Sequence, residues 1–278
     1  MPELPEVEYA RARLSRWTAG ARLLEVRSFD ERVAPDREAF ARIAGARVLE
    51  VTRRGKNLLV HLANSEESNA LWIHLGMTGH LAKLTHGTPL TQRALPRFTR
   101  WALATPECVV ALTDVRRFAK IVAAPLATIV ANHLSKLGPE ADAVTAPSLA
   151  RVLDTRLAVK AALMKQARLA GLGNIHAAEA LFLAKIHPER AARSLSRPEV
   201  VRLATGIRDA LARATIPENE ELAYVSEGGP NPFFVYGREG EPCPKCRTAI
   251  ARELVRGRSN YFCPKCQASR ATTRPRAR

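Results

Sequence analysis

The run Cys243-Pro-Lys-Cys246 recurs as Cys263-Pro-Lys-Cys266 after sixteen intervening residues. Each pair suits a tight turn that aims two thiolates at one ion, and the spacer is long enough for a β-hairpin that brings the pairs together. Two disulfides would fit the same spacing in an oxidising compartment. The chain has five cysteines, an odd number, and its acidic start (Met-Pro-Glu-Leu-Pro-Glu) lacks the apolar stretch of a secretory leader. Reduced thiols, a cytosolic setting and one Zn2+ ion are therefore expected. Four sulfur ligands leave no open coordination position, so this zinc is structural rather than catalytic. Cys108, inside Cys-Val-Val-Ala-Leu, reads as a buried core thiol.

Charge says what the ribbon meets. Of the net +16, +9 falls between Cys243 and Arg278, with Arg252, Arg256 and Arg258 standing between the cysteine pairs. Such an excess implies a polyanionic partner, most simply nucleic acid, and a small hairpin bearing arginines suits phosphates or a groove. No stretch approaches the roughly 18 apolar residues of a membrane span.

Hydrophobic periodicity divides the remainder. Leu4, Val7, Ala10, Leu14 and Trp17 share one helical face, and Gly20 supplies a stop. Short β-like runs follow at 22–29, 47–52, 57–62, 70–75, 108–113 and 120–123, with a short helix between Asp36 and Gly45. Close-spaced strands with few helices between them indicate a sandwich or barrel. From about residue 128 the period becomes helical, through 128–136, 148–153, 158–169, 174–185 and 197–214. Residues 215–242 are Gly- and Pro-rich and irregular, and a loop this long in a compact enzyme is usually functional. The expected fold class is α+β. Its parts are a β-rich N-terminal domain over 1–130, a helical domain with a long irregular loop over 131–238, a zinc ribbon over 239–268 and a basic, disordered tail over 269–278.

MPELPEVE at 1–8, RRGKNLL at 53–59, HLGMTG at 74–79, DVRRF at 114–118, GLGNIHAAEALF at 171–182 and the two CPKC pairs follow one another along the chain. In that order they resemble bacterial members of the formamidopyrimidine-DNA glycosylase/endonuclease VIII family, along nearly the full length. The resemblance implies that 1–130 is a catalytic β-sandwich domain, that 131–238 is a helix–two-turns–helix DNA-binding domain with a lesion-covering loop, and that 239–268 is a zinc ribbon. It also implies a bacterial, nucleoid-associated monomer acting on damaged double-stranded DNA.

The chemistry implied is base excision followed by strand cleavage through β,δ-elimination. An amine can attack the sugar C1′ and then act as an electron sink, and an α-amino group, with a reference pKa near 8 against about 10.4 for lysine, is far more often neutral at pH 7. Removal of Met1 would expose Pro2 as that nucleophile, and by resemblance Glu3 is the general acid/base. Glu6 is similar to a second family carboxylate near the lesion, and equally suits a helix dipole. Lys56 is expected to contact the phosphate or sugar and assist elimination. Asn174, which reads as an N-cap after Gly171 and Gly173, and Arg258 are expected to grip the kinked backbone, with Lys160 also touching DNA. Met77, Arg116 and Phe118 fit the family's insertion set, which fills the hole left by a flipped base and reads the opposite one. That set resembles the formamidopyrimidine branch and oxidised purines. Oxidised pyrimidines remain an alternative, since the loop 216–236 lacks the usual Gly/Thr/Ser-rich opening, as does a non-catalytic nucleic-acid-binding protein. His176 and Ala178 stand where Tyr and an acidic residue are frequent.

Overall fold

The computed structural model describes residues 2–63, 68–215 and 231–268. Two compact units emerge, one built on Met1–Leu137 and the other on Gly138–Ala214 with the C-terminal segment.

The first unit opens with α1 (Leu4–Thr18), which buries the apolar face read from the sequence and is capped at Ala19, ahead of Gly20 at φ 80°. In chain order come β1 (Glu25–Ser28), α2 (Arg37–Arg42), β2 (Arg47–Arg54), β3 (Asn57–Ala63), β4 (Ser68–His74), β5 (His80–Thr85), β6 (Thr99–Ala104), β7 (Cys108–Thr113), β8 (Lys120–Pro125) and α3 (Leu126–Ile129). They form two four-stranded antiparallel sheets, ordered β1-β6-β7-β5 and β2-β3-β4-β8. One core takes Val7, Leu14 and Trp17 of α1, Phe40 of α2, and inward residues of both sheets such as Leu58, Ile73, Trp101 and Leu112. Cys108 is buried there, its Sγ near the Trp17 carbonyl.

The sequence reading lacked β5 and β6. His-Leu-Ala-Lys-Leu-Thr exposes every second residue or nearly so, and Thr-Arg-Trp-Ala-Leu-Ala opens on polar residues. Neither carries the dense Val/Ile signal that makes a short strand legible. The expected helix at 128–136 also differs. α3 gives way to a π-helical turn over Val130–Leu134, which lays the His133 ring on Trp72 at 3.8 Å.

The second unit holds α4 (Ala146–Leu153), α5 (Val159–Met164), α6 (Asn174–Ala184) and α7 (Arg197–Arg213), then the hairpin β9 (Ala251–Val255) and β10 (Arg258–Phe262). α6 is buried on nearly all sides, and α7 lies so close that a Cβ on Gly206 would stand 2.8 Å from the Ala180 carbonyl oxygen. α5 stops at Met164, short of the expected Leu169, because Lys165 is extended and the Gln166 side chain donates to the Met164 and Leu172 carbonyls. The hairpin turns through Arg256 and Gly257, both at positive φ, as a two-residue turn requires. No helix among the described residues is long and apolar enough to cross a membrane.

Candidate active site and nucleic-acid interface

Pro2 and Glu3 lead directly into α1, and Glu3, 1% exposed, is the residue that caps it. The Glu6 carboxylate accepts from the Glu3 amide at 2.8 Å in a reciprocal capping box, so Glu6 fixes the backbone that carries the proposed nucleophile. Lys56 is 8% exposed and occupies the two-residue loop between β2 and β3, where Gly55 takes φ 57°. That loop is tied to α1. Arg53 Nε donates to Glu8 at 2.9 Å and its Nη1 to the Gly55 carbonyl at 3.0 Å. His74, opposite Asn57 in the β3–β4 register, was not singled out from the sequence. Burial first, and then the charge of Lys56, holds its imidazole below the ordinary histidine value. The lowered value favours the neutral ring, so the cations of this corner are Lys56, Arg53 and Arg54.

Met77 and Phe118 are 38% and 39% exposed, against the core role that isolated apolar residues would ordinarily take. They sit on two loops that Asp114 joins. Its buried carboxylate accepts from the Thr78 hydroxyl, from the Arg116 amide at 3.1 Å and from the Ala119 amide at 2.7 Å. Gly76, at φ 64°, lets the loops close up, since a Cβ there would lie 2.4 Å from the Phe118 carbonyl carbon. The Arg116 guanidinium stands over the Phe118 ring at 4.8 Å. The structure therefore brings Met77, Arg116 and Phe118 onto one exposed ledge. Arg117 has another task, a two-point ion pair with Asp30. Burial alone would raise the Asp30 carboxyl, but Arg117, the Arg32 amide and Arg100 together hold it below the usual range.

In the second unit Gly173, not Asn174, caps α6, which corrects the N-cap reading. Asn174 is the first helical residue, and its Oδ1 is buried without a hydrogen-bond partner. A buried amide oxygen left without a donor is costly. Arg258, the first residue of β10, is exposed beside the hairpin turn. Lys160 is 2% exposed and its Nζ donates to the Ser259 carbonyl at 3.0 Å. Its ammonium thus fastens the residue next to Arg258 to α5.

The four cysteine sulfurs lie within 4.8 Å of one another, with the Cys243–Cys266 and Cys246–Cys263 pairs at 3.9 and 3.4 Å. The Lys245 and Cys266 amides point at Cys243 Sγ and Cys263 Sγ, the usual second layer of a thiolate site. The Thr248 hydroxyl and amide hold the Cys246 thiol near 6, whereas burial pushes Cys266 up to about 12. A set so compact fits one structural zinc, and no disulfide is present among the described cysteines.

Sequence reasoning missed the clamps that hold the ribbon. Gln267 is fully buried, accepting from the Cys263 amide and donating to the Ile186 carbonyl. Glu179 accepts from the amides of Phe234, Val235 and Tyr236. An acid inside the apolar run of α6 was the available signal. Ala178 is buried beside it, and the His176 ring meets the edge of Phe233 at 6.2 Å. Most of the expected lesion-covering loop, 216–230, and the tail, 269–278, lie outside the described residues.

Fold and site first define a class: three-module proteins in which a β-sandwich, a helix–two-turns–helix domain and a zinc ribbon share one chain. Three family models match in that order, the formamidopyrimidine-DNA glycosylase N-terminal domain over 1–121, its H2TH domain over 137–223 and the zinc finger found in FPG and IleRS over 240–268. The chain is 38% identical over 281 residues to the formamidopyrimidine-DNA glycosylase of Rhodospirillum centenum, covering 93% of this chain and 97% of that one. Against the crystal structure of the MutM (FPG) protein from Thermus thermophilus the TM-score is 0.80 at 36% identity, over 96% and 98% of the two chains. A MutM complex with DNA containing carbocyclic 8-oxo-G matches with a TM-score of 0.84 at 27% identity, over 96% and 100%. The chain belongs to the formamidopyrimidine-DNA glycosylase family.

Proposed function

We propose that the chain is a bifunctional DNA glycosylase/AP lyase that removes oxidised purines, formamidopyrimidines and 8-oxoguanine, from duplex DNA in base excision repair. The observation that carries this is the start of α1, where Pro2 precedes a buried Glu3 whose backbone is fixed by Glu6. Relatives solved on 8-oxo-G and abasic-site DNA support the substrate class.

In this reading, loss of Met1 frees the Pro2 amine, whose lone pair bonds to C1′ as the base departs with a proton. Glu3 moves protons at the sugar, opening the ring to a cationic iminium. Loss of the C2′ proton sends electrons to that nitrogen and expels the 3′ phosphate, and a second elimination expels the 5′ phosphate. Lys56 and Arg258 hold the phosphates, with Asn174 on the backbone, while Lys160 braces the residue beside Arg258. Met77 and Phe118 fill the vacated stack, and Arg116 reads the orphaned base. The zinc takes no part in the chemistry. The protein works as a monomer in the bacterial cytoplasm.

Borohydride trapping on a lesion duplex tests the mechanism. A covalent adduct is expected with wild type and none once an extra residue precedes Pro2. Equal trapping by both proteins would refute the assignment. Excision confined to oxidised pyrimidines in a lesion panel would move the substrate class, and no base release at all would favour a binding protein.

A further inference from the structure

The loop between α5 and α6 does more than deliver Asn174. Gln166 staples it into one shape, donating to the Met164 and Leu172 carbonyls and accepting from the Gly171 amide at 2.9 Å. Within it the Arg168 amide bonds the Lys165 carbonyl at 2.7 Å, a tight turn that sets both side chains on one rigid segment. Gly138 presses on this turn so closely that a Cβ would meet the Arg168 carbonyl carbon at 2.3 Å. Between the turn and α4 runs an open groove of about 560 Å³, lined by Ser148, Arg151, Lys165 and Arg168 with Pro139, Val152 and Ala167.

No acid lines this groove, and none of its three cations has a carboxylate partner among the described residues. The Arg168 guanidinium is oriented by the Val152 carbonyl at 3.0 Å, while Arg151 and Lys165 stand exposed. Elsewhere the protein pairs its arginines readily, as Arg190 with Glu199 and Arg117 with Asp30. Three cations without a counter-charge facing one trough, with a hydroxyl among them, form a surface suited to oxyanions.

We propose that this groove is a second phosphate-binding track for the duplex, separate from the Asn174 helix start but carried by the same stapled loop. The proposal rests on the DNA-processing reading for its ligand. Such contacts set register and affinity and carry no lesion information.

The test is duplex binding by the full-length, zinc-loaded protein carrying Arg151→Gln and Lys165→Gln, followed by anisotropy across a salt series, with lesion-analogue and undamaged duplexes. Losing two phosphate contacts should flatten the slope of log K against log salt by about 2 and weaken binding about tenfold near 0.1 M salt. Both duplexes should lose affinity by the same factor. Arg151→Lys with Lys165→Arg should keep the wild-type slope, which separates charge from packing. An unchanged slope in the Gln pair, or a loss confined to the lesion duplex, would overturn the track. Wild-type trapping in the same preparation reports the glycosylase reading independently, because the salt slope is measurable whether or not an adduct forms.

Discussion

In the first unit, Met77 and Phe118 ride on loops whose bases sink into an apolar core shared by two sheets and α1. In the second, the Arg258 hairpin stands on four thiolates, the Gln267 and Lys160 hydrogen bonds, and a cluster as small as Ala178, Phe182, Val235 and Ile250. A two-stranded hairpin cannot bury enough surface to hold itself, so it borrows a metal. The same need for rigid presentation is met by packing in one place and by coordination and buried polar contacts in the other.

The largest break in that contrast is zinc removal. Cys263→Ser or a strong chelator should forfeit on the order of 10 kcal/mol of ribbon stability. Hydrogen exchange should show β9 and β10 losing protection while β6 and β7 keep theirs. Simultaneous loss in both would mean that the sandwich also depends on the metal. Next comes Asp114→Ala in the first unit, which strands two amides and a hydroxyl at a fully buried site. It should cost about 3 kcal/mol in urea unfolding, with the zinc content unchanged.

A pH series sharpens the second unit further. Hydrogen bonds from Arg190, aided by Ser196 and opposed by burial, pull the Glu199 carboxyl from 4.5 down to about 2. The folded value is the lower one, so this stabilisation is complete above about 4.5 and drains away as pH falls toward about 2. Up to roughly 3 kcal/mol is involved, and Glu199→Gln should flatten the stability curve across that window; an unaltered curve would contradict the pairing. The smallest effect belongs to the tail. Truncation after Ala268 should leave the melting midpoint alone and slightly flatten the salt dependence of binding, while truncation after Cys266 also removes Gln267 and should cost about 1–2 kcal/mol.

What could be read from the sequence was whatever is local. The cysteine pairs and the apolar face of α1 each declare themselves within a few residues, whereas the roles of Pro2 and Glu3 came only from motifs spread along the whole chain. The fasteners did not, because Lys160 reaches Ser259 across 99 positions and Glu179 reaches Val235 across 56. A lysine read as a DNA contact proves to have its ammonium on a backbone carbonyl, and no periodicity encodes that. β5 and β6 stayed hidden for a different reason, being strands by virtue of their neighbours rather than their own composition.

Gly76 decides how far apart Met77 and Phe118 can stand. Because the gap between their loops is set by a missing methyl rather than by either exposed side chain, the identities of the two side chains and the spacing of their loops depend on different residues. Substitutions at 77 or 118 would change what the ledge presents, while any residue larger than hydrogen at 76 would change the gauge itself. The tips of the ledge are therefore open to exchange in a way that its spacing is not.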